Sequence, residues 1–488
     1  MRKQENWTLI SITGIRKNVI KGKKEMKKNL YRRLSLFLLV LFAACEKNKE
    51  LHRKKSDDKR PNVIIITWHD AGRWFGCYGN QHVHTPNIDS LASEGYLFTN
   101  YWSTSSVSSP SRVSMLTGKY PAKHGVKGLC HGPQNYSVDK DEHHLSKVLR
   151  SNGYDTYLFG WQHETTHDLV RSRLGFNHIY YNDPLPPAEI VAGAFDSFLV
   201  HRSKSEGVFY AQIGFHEAHV PFNFGGVHPD TSRGIYIPPY LKDTPGTRKT
   251  ITLLQGAIRK ADSCTGLILR SLKKHGYDSN TLVVFTCDHG VELKRAKATL
   301  YDPGMEVPLI VRWPAGGIKG GIKSDMLLCH ADFYPTLLDL LNIPVEKDVQ
   351  GKSFASVFRG NHSLVVRDAI YGTFMDQIRC VRKNGFKLII NFEPHAEYVE
   401  LPVNSDNPLT YPIYPFKEEE WPVLELYDLT KDPYELHNLA FHPSFRKIKS
   451  KLVKDLVTWM KVNNDSLVYA PQPSPWYKKV LNVINNND

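Results

Sequence analysis

The stretch that decides the fold is Pro61-Asn62-Val63-Ile64-Ile65-Ile66-Thr67-Trp68-His69-Asp70. Its run 62–68 is apolar and rich in β-branched residues, which is typical of a strand buried on both faces in a parallel sheet. A second run of this kind, 281–286, leads into Asp288-His289-Gly290. Ligands bind at the carboxyl ends of strands in parallel α/β sheets, so two Asp and His pairs after two such strands predict one shared cation site. Either pair alone would fit a strand-ending turn equally well.

Strand and helix patterns alternate over most of the remaining chain. We predict further strands at 156–159, 208–214 and 309–312, and helices at 86–92, 144–151, 251–274 and 331–341. This alternation is typical of an α/β sandwich with a mostly parallel central sheet.

The pattern changes after about residue 365. Runs 378–381 and 386–390 flank a Lys383-Asn384-Gly385 turn, which predicts antiparallel strands, and a last helix is predicted over 443–461. We therefore expect a smaller C-terminal α+β domain with an antiparallel sheet. Residues 393–422 are rich in proline and have no period, which predicts a long surface loop.

Composition and charge exclude several classes of protein. The 488 residues are 41% hydrophobic and 23% charged, which excludes disordered, collagen-like and disulfide-scaffold proteins. The net charge of +14 is concentrated at one end: residues 1–60 carry 18 Lys and Arg against 6 Asp and Glu, whereas the others carry 45 against 43. We therefore expect no nucleic-acid partner.

The N-terminal region has the features of an export signal. Basic residues at 27–33 precede the apolar run Leu34–Ala44, which is too short to span a membrane. The run ends in Ala43-Ala44-Cys45, which predicts an acylated lipoprotein cysteine, with a plain secretory signal as the alternative. We expect an exported protein of the periplasm or outer membrane, with Met26 as an alternative start, held at the membrane only through a lipid anchor.

The six cysteines after Cys45 are widely spaced and form no metal-type C-x-x-C pair. We predict that most of them are buried single thiols.

A serine-rich motif, Ser108-Ser109-Pro110-Ser111-Arg112, is followed by Leu116-Thr117-Gly118-Lys119. Pro110 and Ser111 favour a helix start and Gly118 a helix end, which places Ser108 just before a helix N-terminus. Backbone N–H groups there favour an anion, and Arg112 adds a planar charged group one turn later. Taken alone, however, a serine-rich helix cap is far commoner than an active site.

With the strand-end motifs, this segment resembles the type I sulfatase family, in the serine version of its C/S-x-P-S-R signature. The resemblance extends from Pro61 to about Ala470, and the sulfamidase-like (N-sulfoglucosamine sulfohydrolase) members are the most similar. It is carried by the strand-end and serine motifs and by 85–92, 216–222, 297–302, 307–314 and 425–440.

The resemblance implies an alkaline-phosphatase-like fold and a sulfuric ester hydrolase or sulfamidase. The implied substrate is a sulfated glycan, a glycosaminoglycan such as heparin or heparan sulfate above all. It also implies that a separate maturing enzyme oxidises Ser108 to formylglycine (3-oxoalanine), whose hydrate attacks sulfur with one hydroxyl and expels sulfate with the other. The implied organisation is an export segment at 1–45, a basic linker at 46–60, a catalytic domain at 61–365 and a C-terminal subdomain at 366–488.

Roles for individual residues follow from matching positions. The metal-ligand positions match Asp70, Asp288 and His289, with Ser108 and His69 beside them. The other catalytic positions match Arg112, His163 near the formylglycine, His219 as donor to the leaving group, and Lys297 on the sulfate. One divalent cation is expected, Ca²⁺ on family grounds, with Zn²⁺ or Mn²⁺ as alternatives because imidazole suits transition metals.

Two positions depart from the family pattern. His69 stands where an Asp is common, and Trp161 stands where a lysine often binds sulfate, so Trp161 either stacks on a sugar or packs in the core. His124, His131, Glu164, His216 and Glu217 are further candidates for the pocket, each with a structural role as the alternative.

The alternative functions are a phosphate or phosphonate ester hydrolase of the same superfamily and a non-catalytic glycan-binding module.

Overall fold

The apolar run that opens the sequence argument forms a central strand, with all seven residues buried. The computed structural model describes residues 60–131, 135–180, 185–393, 422–469 and 475–486. Its strands are β1 (Asn62–Trp68), β2 (Tyr96–Phe98), β3 (Tyr101–Trp102), β4 (Asp155–Gly160), β5 (His178–Tyr180), β6 (Phe209–Phe215), β7 (Thr281–Cys287), β8 (Leu309–Arg312), β9 (Ile322–Ser324), β10 (Leu328–Cys329), β11 (Ala369–Phe374), β12 (Ile378–Lys383), β13 (Phe386–Asn391) and β14 (Leu424–Asp428).

The large sheet has the order β5-β4-β6-β1-β7-β8-β2-β9. The five strands from β5 to β7 are parallel, and β8 is antiparallel to both of its neighbours. The register pairs Trp68 of β1 with Cys287 of β7, so the residues that follow these two strands leave the sheet at the same level. The predicted mostly parallel sheet is confirmed, and this register brings the two Asp and His pairs together.

The helices cover the sheet and supply the site. They are α1 (Pro86–Glu94), α2 (Ser108–Thr117), α3 (Pro121–His124), α4 (Leu145–Ser151), α5 (Val170–Arg173), α6 (Ala188–His201), α7 (Pro245–Lys274), α8 (Asp302–Met305), α9 (His330–Leu340), α10 (Arg446–Val462), α11 (Ser466–Tyr469) and α12 (Pro475–Asn486). Helix α7 begins six residues before the predicted start because the Thr244 side chain accepts a hydrogen bond from Thr247 N and Pro245 occupies the first turn.

Helix α2 also begins earlier than predicted. Val107 is extended and serves as the N-cap, so Ser108 is the first helical residue rather than the residue before the helix. Pro110 is tolerated there because first-turn N–H groups have no partner within a helix. The predicted end is confirmed, since Gly118 caps the helix in the left-handed conformation with φ of 71°.

The C-terminal region forms the predicted antiparallel sheet, in the order β11-β12-β13-β14. The turn between β12 and β13 uses positive φ at Asn384 and Gly385, as a tight hairpin requires. One apolar cluster joins α10 to this sheet, including Leu452, Leu456, Val381 and Leu388. Most of the predicted loop at 393–422 lies outside the described residues.

A buried charged group, which we call the linking cluster (Lys387, Asp302 and Glu435), connects this sheet to α8. Lys387 Nζ lies 2.9 Å from Glu435 Oε1, donates to Leu300 O at 3.0 Å and forms an ion pair with Asp302. All three side chains are at most one-tenth exposed.

The six cysteines of the described residues are free thiols, and five are buried, as predicted. Among the described helices, none has the length and apolar character needed to cross a membrane. The predicted export segment at 1–45 and residues 46–59 of the predicted linker lie outside the described part of the chain.

Candidate active site

The site is built on the carboxyl ends of β1 and β7, where Asp70 and Asp288 leave adjacent strands. Asp70 N donates to Asp288 Oδ1 at 3.0 Å, and both carboxylates are fully buried. Asp70 has φ of 52°, and Gly72 N donates to His289 O at 3.1 Å, so the two strand-end turns are hydrogen-bonded to each other. The predicted convergence of the two Asp and His pairs is therefore present.

His289 is oriented by its own turn. Its Nδ1 donates a hydrogen bond to the Gly290 carbonyl at 2.9 Å, so Nδ1 carries a proton and Nε2 faces the site. Nε2 lies 3.0 Å from Asp70 Oδ1 and 3.0 Å from Ser108 Oγ. Burial lowers the pKa of His289, but Asp70 and Asp288 outweigh burial and raise it.

Ser108 and Arg112 reach this point from α2. Both side chains are about 1% exposed, and Arg112 Nε donates to Asp288 Oδ2 at 3.0 Å. Arg112 Nη2 is buried and has no hydrogen-bond partner among the described residues. Ser108 Oγ therefore lies at the first turn of a helix and near an arginine. Both features favour an anion beside that hydroxyl.

Lys297 is the second cation of the site. Its Nζ lies 2.7 Å from Asp70 Oδ2, 3.1 Å from Glu292 Oε2 and 3.0 Å from His219 Nε2. Burial raises the pKa of Asp70, but Lys297 and the nearby histidines more than offset this and hold the pKa well below its usual range. His219 Nδ1 donates a hydrogen bond to Val220 O at 2.6 Å, which leaves Nε2 facing Lys297.

Glu292 is a site residue that the sequence argument missed. It is 2% exposed, and its carboxylate contacts Lys297 and lies 3.5 Å from His219 Nε2. Its only sequence signal is its position in the loop between β7 and Lys297, and the spacing gave no reason to select it.

The residues suit a divalent cation. One donor atom from each of Asp70, Asp288 and His289 lies within 4.8 Å of the other two. Beside them, both ring nitrogens of buried His69 have no hydrogen-bond partner among the described residues. Burial is the main cause that lowers the pKa of His69, so its imidazole is neutral. His69, Asp70 and His219 form a second such group, but the Lys297 ammonium already contacts two of its members.

His163 and Trp161 lie at the edge of this site. The ring centroid of His163 is 5.5 Å from that of His69, and its Nε2 lies 2.6 Å from His131 Nδ1. The Trp161 ring is 6.3 Å from the His69 ring and 5.1 Å from the His163 ring. Both residues therefore belong to the wall that faces His69.

The remaining candidates separate into two groups. The rings of His216 and His219 are 5.0 Å apart, so His216 lines the site, and His131 reaches it through His163. The other three have structural contacts: His124 bonds Ser114, Glu164 bonds Gln212, and Glu217 accepts from Ala188 N at the start of α6.

Comparison with known proteins agrees with this arrangement. The sequence profile of the sulfatase family matches residues 61–343, and that of the N-sulphoglucosamine sulphohydrolase C-terminal region matches residues 288–462. An ulvan-active sulfatase of Formosa agariphila is 29% identical, with 88% of each chain covered. Human N-sulphoglucosamine sulphohydrolase is 25% identical over 84% of this chain and 92% of its own.

Solved structures show the same fold. A protein in complex with its substrate D-glucosamine-2-N,6-O-disulfate superposes with a TM-score of 0.65 at 20% identity, covering 85% of this chain and 99% of the other. The phosphonate monoester hydrolase of Agrobacterium radiobacter gives 0.62 at 19% identity, covering 85% and 98%. The predicted alkaline-phosphatase-like architecture is therefore confirmed.

Proposed function

This chain belongs to the sulfatase family, and we propose that it removes sulfate from a sulfated glycan through a formylglycine made from Ser108. The observation that carries the proposal is the meeting of Ser108 Oγ, His289 Nε2, Arg112 and the Asp70–Lys297 pair at the ends of β1 and β7. A buried nucleophile among two cations and a metal-type donor set suits attack on a tetrahedral oxyanion such as a sulfate ester.

The reactive group at position 108 requires a modification by a separate maturing enzyme. A hydrated aldehyde there supplies two hydroxyls, one to attack sulfur and one to release sulfate without an external water. The site needs this chemistry because a plain serine sulfate would be slow to hydrolyse.

The protein's own side chains bind the sulfate oxygens and hold a proton for the leaving group during that step. Arg112 Nη2 is available to a sulfate oxygen, and Lys297 Nζ stands between Asp70 and His219, where it can contact a second one. His219 Nε2 is the atom positioned to hold the proton for the leaving oxygen, since Nδ1 is committed to Val220 O. Asp288 accepts a hydrogen bond from Arg112 Nε and so orients the Arg112 guanidinium.

Asp70, Asp288 and His289, with Ser108 and His69 beside them, would hold one divalent cation. Such an ion supplies positive charge that polarises a sulfate oxygen. We propose Ca²⁺ on family grounds. The neutral imidazole of His69 favours Zn²⁺ or Mn²⁺, so metal analysis of the purified protein decides among them.

The proposed substrate is a glycan that carries a sulfated amino sugar or similar acidic sugar, such as a fragment of heparan sulfate. The match of residues 288–462 to the C-terminal region of N-sulphoglucosamine sulphohydrolase supports this class. The ulvan-active relative makes an algal sulfated glycan the principal competitor.

Trp161 is proposed to stack on the sugar ring at this site. The change Trp161→Ala should raise KM for the saccharide about threefold to tenfold more than KM for a small aryl sulfate, as expected for loss of one aromatic contact. Trp161→Phe keeps an aromatic face and serves as the matched control. Equal losses on both substrates would place Trp161 in the structural core.

The deciding experiment compares sulfate release from heparan sulfate, chondroitin sulfate and ulvan fragments with hydrolysis of phosphate and phosphonate esters. We expect faster turnover of a sulfated fragment, and a peptide mass for position 108 that has lost two hydrogens relative to serine. Faster phosphoester turnover by protein that retains an unmodified Ser108 would favour the phosphate or phosphonate hydrolase.

We further propose that the protein is an exported lipoprotein acylated at Cys45. The change Cys45→Ser should move it from the membrane fraction to the soluble fraction, whereas Cys77→Ser should not. Membrane association that persists in Cys45→Ser would contradict the lipid anchor.

A further inference from the structure

A cavity of about 520 Å³ lies beside the proposed catalytic site, and none of that site's residues lines it. Resting on the proposed function, we propose that this cavity binds an unsulfated pyranose of the same glycan chain whose sulfate is removed at Ser108. Its walls include Arg73, Trp74, Tyr236, Tyr240, Glu306 and Tyr434. We call it the aromatic pocket.

The aromatic walls come from three distant parts of the chain. Trp74 lies in the loop after β1, Tyr236 and Tyr240 lie in the segment before α7, and Tyr434 follows β14. The ring centroids of Trp74 and Tyr236 are 5.4 Å apart at 64°, and those of Tyr240 and Tyr434 are 6.3 Å apart at 49°. Tilted aromatic faces beside a cavity offer flat apolar surfaces to the C–H faces of a sugar ring, while the phenol hydroxyls can bond its hydroxyls.

The charges of the pocket favour a neutral sugar. Arg73 forms an ion pair with Glu306 and donates to Thr99 O, so this guanidinium is already partnered. The remaining polar side chains on the wall are uncharged amides, phenols and His82. Because the Arg73–Glu306 pair is neutral overall, the described wall residues offer a sulfate no unpaired guanidinium, and the wall suits the hydroxyl groups of an unsulfated sugar.

The pocket adjoins the catalytic site through the backbone. Arg73 is only three residues after Asp70, which places their Cα atoms no more than about 11 Å apart. Gly72 and Gly290 pack between the two sites. Gly290 lies so close to Pro303, which lines the pocket, that an added Cβ would be 1.8 Å from Pro303 O. The proposal has one oligosaccharide reach both sites, and it therefore predicts a preference for oligomers over a single sulfated sugar.

The test uses Tyr236→Ala and Tyr434→Ala, because both side chains are half-buried. Tyr180→Ala is the matched control, since Tyr180 lines a separate aromatic cavity of about 400 Å³ on the far edge of the large sheet. The first measurement is the ratio of kcat/KM for heparan sulfate, chondroitin sulfate or ulvan fragments to kcat/KM for an aryl sulfate. We expect this ratio to fall about threefold to tenfold in the two pocket variants and to stay the same in the control.

The second measurement is calorimetric binding of chemically desulfated fragments of the same glycans, which needs no turnover. We expect binding by the wild-type chain and by Ser108→Ala, and weaker binding by Tyr236→Ala and Tyr434→Ala. Failure of every desulfated fragment to bind the wild-type chain, or equal binding by the pocket variants, would overturn the aromatic pocket. Binding without sulfate release from any glycan would instead overturn the proposed function and leave the pocket standing.

Discussion

Two buried groups of charged side chains lie at opposite ends of the segment 297–302, and their charges are satisfied differently. In the linking cluster, the Lys387 ammonium contacts two carboxylates and a backbone carbonyl. Asp302 Oδ1 and Glu435 Oε1 lack a well-formed hydrogen bond among the described residues, but each lies against the Lys387 ammonium. At the catalytic site, Arg112 Nη2 is buried without a hydrogen-bond partner among these residues, and the ring nitrogens of His69 lie 3.5 Å from Asp70 and 3.3 Å from Asp288 without a hydrogen bond. Buried polar atoms are costly to leave unpaired, so an arrangement that tolerates them indicates that a ligand completes it. The comparison separates charges that hold the structure from charges that we propose act on a substrate.

The largest expected effect comes from removing the nucleophile. Ser108→Ala should lower activity by about 10⁴-fold or more, as loss of a nucleophile does in other hydrolases. Loss of its hydrogen bond to His289 should lower stability by only about 0.5–1.5 kcal/mol. Ser114→Ala is the matched control, because Ser114 lies on the same helix and also contacts a histidine, with its Oγ 3.0 Å from His124 Nε2. Substantial turnover by folded Ser108→Ala would remove the basis of the assignment.

The next test separates the two groups by their metal content. Asp70→Asn and Asp288→Asn should each reduce bound divalent metal and lower activity by on the order of 10²–10³-fold, because each removes a charge from the donor set. Asp302→Asn in the linking cluster should leave the metal content unchanged. Full metal occupancy in both strand-end variants, measured by elemental analysis, would show that these carboxylates are not ligands.

Breaking the linking cluster should affect stability. Lys387→Met leaves two buried carboxylates without their cation and should lower the free energy of unfolding by about 3–5 kcal/mol. Lys383→Met on the neighbouring strand is the control: its ion pairs with Asp368 and Asp455 are more exposed and are expected to contribute at most about 1 kcal/mol. If urea unfolding shows the same loss of unfolding free energy for Lys387→Met and Lys383→Met, burial does not make the contribution of Lys387 larger.

A pH dependence within the linking cluster is expected to be similar in size to the effect of Lys387→Met. Burial and Asp302 raise the pKa of Glu435 to about 8, although Lys387 opposes them. Because the folded pKa exceeds the unfolded one, the stabilisation is full below about pH 4.5 and is lost as pH rises through about 8. Glu435→Gln carries no charge at any pH, so its melting temperature should fall less than that of the wild-type chain between pH 5 and pH 8. If the melting temperatures of Glu435→Gln and the wild-type chain change equally with pH, Glu435 is not the source of the pH dependence.

Regular structure explains which parts of the site could be predicted. Asp70 and Asp288 follow continuous apolar strands, so strand pairing alone brings them together. Glu292, by contrast, lies in an irregular loop where no periodicity indicates the direction of a side chain. The neighbours His216 and Glu217 show the same limit, since one lines the site and the other accepts from Ala188 N.

The aromatic pocket could not be predicted for a related reason. Its walls come from residues 74, 236–240 and 434, which only the complete fold brings together. The prediction placed Ser108 just before α2 because Pro110 and Ser111 carry the local start signal, whereas the extended Val107 sets the observed start.

The burial of α2 has a consequence for the order of events in the cell. Ser108, Ser109, Ser111 and Arg112 are at most 1% exposed, and every residue of the helix is buried. A sulfate group is small enough to approach one hydroxyl, but the proposed maturing enzyme would need access to the chain on both sides of Ser108. We therefore expect the proposed oxidation to precede complete folding. On this proposal, a chain that folds first would keep its serine.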